Sequence, residues 1–271
     1  MSFGGFGSAA VTPAASRAAA DYDVPPDVPD SIQDIAWSPT ANVLAAGSWD
    51  NHVRCWEVQQ QGANFQAVAR AQFAHKGPVL CTAFSGDGST VFSGSCDKTA
   101  MMWQLGGNSQ GQQIAQHDQP IRSIQHIAQA NCVVTGSWDK TVKYWDTRSP
   151  QPQATVQLSD RVYALDVSYP LMVVATADKQ IHCFDLKKPS QIYAVIVSCL
   201  IYISHLIIVL SAKLPNYQGI SVGKFNKTGE IFAYATSYDW HKGVEHYNPQ
   251  ARNVIRLHHV DAADMTVKAK K

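Results

Sequence analysis

The chain has 271 residues, enough for one sizeable β domain, and 22 Lys and Arg stand against 21 Asp and Glu. That balance leaves no global electrostatic drive toward nucleic acid or a membrane surface. The six cysteines form no Cys-x-x-Cys pair or zinc spacing and no secretory signal is visible, so a reducing compartment, cytosol or nucleus, is expected.

Residues 1–21 are rich in Gly, Ala and Ser, with two Phe-Gly pairs at Phe3-Gly4 and Phe6-Gly7. This stretch has too little apolar surface to fold and reads as a disordered tail. A sharper reading is that the Phe-Gly pairs mimic nucleoporin repeats. Tyr22–Val28 is short and Pro-rich, which confines any strand there to a sheet edge. It is placed to supply an outer strand to the last unit of the chain.

From Ser31 onward a hairpin recurs. Its clearest copy is Thr135–Arg148, where Trp138-Asp139-Lys140 turns between two strands. Asp139 suits the turn because its carboxylate accepts hydrogen bonds from nearby backbone N–H groups. The same pattern appears at Gly47–Trp56, Gly94–Trp103 and Ala175–Phe184, each spanning nine positions from the small residue to the closing aromatic. The closing aromatics Trp56, Trp103, Trp145 and Phe184 follow one another at 47, 42 and 39 residues. A looser fifth copy runs from Ala235 to Tyr247. A repeat of about 40–45 residues with a Gly, an Asp turn and a closing Trp is the signature of WD blades. The expected fold is therefore all-β, a WD40-type β-propeller with five recognisable blades, either a closed small ring or an incomplete, open one.

Four blades fall within residues 22–190 and the last within 218–258, followed by a basic tail over 259–271. In the last blade, Ile220–Phe225 and Ile231–Thr236 read as first and second strands, Val244–Tyr247 as the third and Asn253–His258 as the outer one. Between the two groups lies an atypical apolar segment, 191–217. Ile192–Leu210 is nineteen residues without a charge. Three readings stay open: Gln191–Val197 as the outer strand of blade four, a membrane span, or sequence foreign to the fold. A span would break the ring, so a membrane partner is not expected.

Two buried polar networks are expected, His75 with Asp97, Ser95 and Trp103, and His117 with Asp139, Ser137 and Trp145. A satisfied network of this kind fixes geometry, and no nucleophile stands beside either, so they read as structural. No catalytic motif, metal spacing or cofactor loop is present, and no enzyme, metal or cofactor is expected. The turn tips offer Trp49, Trp138 and Tyr238, aromatics at positions where a blade cannot bury them fully, with Lys98, Lys140, Arg54 and Arg148 close by. Aromatics are enriched in binding hot spots, so these seven are the candidate partner-binding residues.

Gly47–Val58, Ser95–Trp103, Gly136–Arg148, Pro170–Asp178 and above all Tyr238–Pro249 resemble the WD-repeat mRNA export factors of the nuclear pore. Spindle-checkpoint WD-repeat proteins share the architecture and are the nearest alternative. The resemblance implies seven blades, so this chain looks like a shortened form lacking two. It also implies a non-enzymatic scaffold that binds a nucleoporin peptide motif and, more weakly, RNA, with roles in nuclear export and at the mitotic spindle. The implied locations are the nucleus, the nuclear envelope at the pore, and the cytoplasm. Outside that family, a WD-repeat substrate receptor of a ubiquitin ligase has the same signature. Checkpoint or ubiquitin-ligase proteins are then the alternative partners.

Overall fold

The computed structural model describes residues 21–107, 111–189, 191–197, 219–238, 244–248 and 251–260. The Phe-Gly tail, the apolar segment beyond Val197, residues 239–243 and the basic tail beyond Val260 lie outside these residues.

Among the described residues, twenty strands form five four-stranded antiparallel sheets. After β1 (Tyr22–Asp23), blade one is β2 (Ile32–Trp37), β3 (Val43–Ser48), β4 (His52–Gln61) and β5 (Asn64–Ala74). Blade two is β6 (Val79–Phe84), β7 (Thr90–Ser95), β8 (Thr99–Gln104) and β9 (Gln112–Gln116). Blade three is β10 (Ile121–Ile127), β11 (Cys132–Ser137), β12 (Thr141–Trp145) and β13 (Pro152–Gln157). Blade four is β14 (Val162–Ser168), β15 (Leu171–Thr176), β16 (Gln180–Asp185) and β17 (Ile192–Val197). Blade five is β18 (Gly219–Phe225), β19 (Ile231–Ser237) and β20 (Val254–His259), with β1 as its outer strand.

One sequence expectation is corrected by this order, and one of the three open readings of the apolar segment agrees with it. Val244–Tyr247 is not the third strand of the last blade: Val244–His246 is one 3-10 turn, and β20 pairs directly with β19, Ala233 facing Leu257. Six residues of the apolar segment belong to the fold, because β17 pairs with β16, Ile181 facing Ile196. What remains of Ile192–Leu210 is shorter than the roughly 20 apolar residues a helical span needs. No helix among the described residues is long and apolar enough to cross a membrane.

Blades stack through apolar faces, and glycine sets how closely. Gly47, Gly94 and Gly136 sit in the second strands, against the first strand of the next blade. A Cβ at each would come within 2.6 Å of Val79, 2.6 Å of Ile121 and 2.7 Å of Val162. Buried apolar clusters join blade one to two, two to three and three to four. A fourth joins blade five back to blade one, packing Ile32, Leu44 and Trp56 with Ile231, Ala233 and Ile255.

The N-terminal strand locks that last joint. Tyr22 pairs with Leu257 and Asp23 with Arg256. The Tyr234 hydroxyl and His258 both bond to Asp21, and the Arg256 guanidinium reaches Asp23 at 2.9 Å. Trp56 donates from Nε1 to the Pro25 carbonyl at 2.9 Å, and the Ser221 hydroxyl donates to the Ile32 carbonyl at 2.8 Å. No described apolar cluster joins blade four to blade five.

Candidate interaction face of the propeller

In blades one to four the turns between second and third strands lie on one face, together with the loops that enter those blades. They share one construction. The tip residue donates its backbone N–H to the entering loop: Trp49 to Ser31, Cys96 to Pro78, Trp138 to Pro120 and Ala177 to Arg161, at 2.8–3.0 Å. The turn carboxylate then accepts from the strand that follows, as Asp97 does from Thr99 and Asp139 from Thr141, both backbone bonds at 2.9 Å. Every exposed tip is thereby tied to a sheet end.

The next position is held left-handed in four blades, at Asn51 (φ 72°), Lys98 (72°), Lys140 (68°) and Lys179 (67°). That conformation costs an L residue about 1–2 kcal/mol and favours Gly or Asn. Three lysines occupy it, and their exposed side chains repeat at matched positions on successive blades. Sequence reasoning found Lys98 and Lys140 but missed Lys179; Asn51 at the matching place was the available signal. Lys140 is partly compensated by Asp160 at 3.4 Å, a surface pair of small energetic weight.

The predicted aromatics separate. Trp49 is 40% exposed, its ring fixed by a 3.0 Å bond from Nε1 to the Gln33 side chain. Trp138 is half-buried, and its indole nitrogen is buried with no partner among the described residues. It presents carbon, not its N–H, to solvent. Tyr238 is 8% exposed and packs on Tyr247 with ring centroids 5.8 Å apart, which corrects its placement as an uncovered aromatic tip.

Two predicted cations also differ from expectation. Arg54 is turned inward onto Asp50, with contacts of 3.1 and 2.5 Å, so it orders the first turn. Burial alone would raise the Asp50 carboxyl, but Arg54 and the His52 backbone hold it below the ordinary value. Arg148 is at the far end of β12 from Lys140 and pairs with Asp146 at 2.7 Å, whose carboxyl it holds down to about 2. Both depart from the expected cluster beside the tips.

The polar networks form through different hydroxyls from those expected. In blade three, Trp145 donates from Nε1 to the Thr135 hydroxyl at 2.8 Å, Thr135 meets His117 Nε2 at 2.7 Å, and His117 Nδ1 meets Asp139 at 2.7 Å. In blade two, His75 bridges Ser93 at 2.8 Å and Asp97 at 3.0 Å, while Trp103 Nε1 is buried and unpartnered among the described residues. Ser95 and Ser137 stand outside both chains. They bond the entering loops instead, Ser95 to the Gly77 carbonyl and Ser137 to those of Gln119 and Pro120. Burial alone would raise the Asp97 and Asp139 carboxyls. Hydrogen bonds from the histidines and from Thr99 and Thr141 overcome it and hold both far below the usual carboxylate range.

The innermost strands of all five blades line a central cavity of about 570 Å³. Its charges are largely used within the protein. Asp34 accepts from the Thr82 backbone at 2.8 Å and pairs with Lys224 at 3.5 Å, and Arg122 donates to the Leu80 carbonyl. Among the described residues no cluster of His, Cys, Asp or Glu is placed to hold a metal ion. Burial pushes the Cys55 thiol up to about 12, far from reactive thiolate character.

The WD domain, G-beta repeat, matches residues 28–57, 68–104 and 108–146. The chain is 33% identical to the Poly(A)+ RNA export protein of Schizosaccharomyces pombe, an alignment that covers 93% of this chain and 94% of that protein. The chain belongs to the mRNA export factor family of WD-repeat proteins. The mRNA export factor of Xenopus tropicalis is likewise 33% identical, over 86% of this chain and 87% of its own length. Protein RAE1 of Arabidopsis thaliana is 34% identical, over 91% and 93%. The alignment with the fission yeast protein runs over 333 positions, 62 more than this chain has residues. At least that many positions of this family member have no counterpart here, more than one WD repeat of about 40–45 residues. The chain is thus a shortened member of the export factor family.

Proposed function

We propose that this chain is a non-enzymatic scaffold of mRNA export, docking a nucleoporin peptide segment on the face that carries the turn tips. The observation that carries the reading is the likeness to the fission yeast Poly(A)+ RNA export protein along 94% of that protein's length. The geometry supports it. Trp49 and Trp138 offer apolar area on backbone-anchored turns, and Lys98, Lys140 and Lys179 add positive charge around them. A rigid face of this composition suits an extended segment with apolar anchors between acidic residues. RNA is the weaker partner in this reading, since a net charge of +1 gives little long-range attraction. Work at the spindle, and residence in the nucleus, at the pore and in the cytoplasm, follow from the same family reading.

Titration of the purified chain into fluorescent nucleoporin-derived peptides tests it. Saturable binding that weakens at least tenfold in Trp49→Ala is the expected result. Absence of binding to any nucleoporin segment, with recovery of ubiquitin-ligase adaptors in a pull-down, would replace it with the substrate-receptor reading.

A further inference from the structure

Apart from Trp49, every exposed large hydrophobic side chain among the described residues lies in blades four and five. Three of them, Ile196, Ile220 and Phe225, are placed by the blade register. On blade three, Val134, Val142, Tyr144 and Val156 are 0%, 0%, 4% and 8% exposed, packed in the cluster that blade four completes. Gly136 pairs with Val142 and Val142 with Val156; on blade four Ala175 pairs with Ile181 and Ile181 with Ile196. The matching residues of blade four are therefore Val173, Ile181, Cys183 and Ile196. None is fully buried, and Ile196 is 54% exposed.

Blade five shows the opposite half of the same interface. Blade four covers blade three with Val162, Leu165, Val167 and Met172. By register the blade-five counterparts are Ile220, Gly223, Phe225 and Phe232. Val162 is 0% exposed, whereas Ile220 is 42% and Phe225 is 37%. Phe225 and Phe232 form an aromatic pair with centroids 4.8 Å apart. The arc thus ends in one face of each kind, and these are the two kinds that meet at the joint between blades three and four.

We infer that copies of this chain associate head to tail, the open face of blade four in one copy covering the open face of blade five in the next. The partner is a second copy because it carries the matching half for either end. The contact is continuous with an interface the chain already builds between its own successive blades. It is heterologous, so it propagates unless rotation closes it. A closed pair would make a ten-bladed ring, beyond the usual four to eight blades. The assembly is therefore open-ended.

Sedimentation velocity of the full chain over a hundredfold concentration range provides the test, with Ile196→Lys and Ile220→Lys as end-specific variants. Both side chains are partly in solvent, so a lysine is accommodated without burial, and near-ultraviolet circular dichroism checks that the fold is kept. Wild type is expected to grow in mass with concentration, and each variant alone to remain monomeric. Mixed together, the two variants still own one good face each, and they are expected to form dimers and nothing larger. Three results would overturn the inference: a monomeric wild type throughout, variants that associate as well as wild type, or a mixture that stays monomeric. If wild type is monomeric and replacing residues 198–218 by a Gly-Ser linker makes it associate, the faces are covered by the chain's own segment and the inference fails in that form.

Discussion

His117 Nδ1 lies 2.7 Å from Asp139 Oδ2, with side chains 0% and 8% exposed. A carboxylate only accepts, so the neutral ring must carry its proton on Nδ1. Nε2 is then left to accept from Thr135, which itself accepts from Trp145. Four side chains are satisfied in one chain, from the closing aromatic to the turn. Asp139→Asn removes the charge that holds this order and turns an acceptor pair into an acceptor and a donor. A loss of about 2–3 kcal/mol is expected, read as a lower urea midpoint at unchanged m-value. Loss under about 0.5 kcal/mol would mean the network adds nothing to stability.

Acid should weaken the propeller through the same two turns. Asp97 and Asp139 ionise well below the ordinary carboxylate value in the folded chain, whereas in the unfolded chain they titrate near about 4. The unfolded state therefore takes up protons first as pH falls. The stabilisation is complete above about pH 4 and is lost progressively below it. Urea midpoints at pH 6 and pH 3 are expected to differ more in wild type than in Asp139→Asn. Equal slopes would remove Asp139 from the acid transition.

Gly136 tests the spacing between blades. A Cβ there would lie 2.7 Å from Val162 Cγ1 and 3.3 Å from its Cβ. Val162 is fully buried and β-branched, so it has no other rotamer to retreat into. Gly136→Ala is expected to cost about 2 kcal/mol through overpacking. Gly62, with nothing within 4 Å but a positive φ of 61°, isolates the other mechanism. Its alanine variant suffers only the backbone penalty, about 1 kcal/mol. Thermal melts of the two variants separate steric from conformational cost.

Much of this was legible in the sequence because the repeat is strict where blades touch. Gly47, Gly94 and Gly136 are spaced by the close approach of the next blade, and the turn Asp by the backbone N–H groups it must satisfy. The hydroxyl of each network was not legible. Ser93 and Ser95 lie two apart and face the same side of β7, and the motif alone does not choose between them. Register chooses: Trp145 pairs with Val133, so its ring reaches Thr135 and not Ser137. The third strand of blade five was misplaced for a related reason. The nine-residue spacing holds only for a tight turn, and this blade has a long loop before Val254. The inward turn of Arg54 is set by Asp50, four residues earlier, and the burial of Tyr238 by its packing on Tyr247; repeat spacing encodes neither.

Trp49 and Trp138 divide the interaction face from the scaffold. Trp49 is the more exposed ring, and its removal leaves one side-chain amide, Gln33, free to meet water. Trp49→Ala is expected to cost about 1 kcal/mol or less in stability. Trp138 buries its indole nitrogen, and Trp138→Ala opens space beneath the turn, so about 2 kcal/mol is expected even with relief of an unpartnered N–H. Peptide affinity should fall in both if the turn tips form the docking face. The comparison decides through Trp49, since there binding and stability part company. A tenfold weaker Kd with an unchanged urea midpoint assigns Trp49 to the partner. An unchanged Kd moves the docking site off this face, whatever Trp138→Ala does, because a destabilised blade loses affinity by either route.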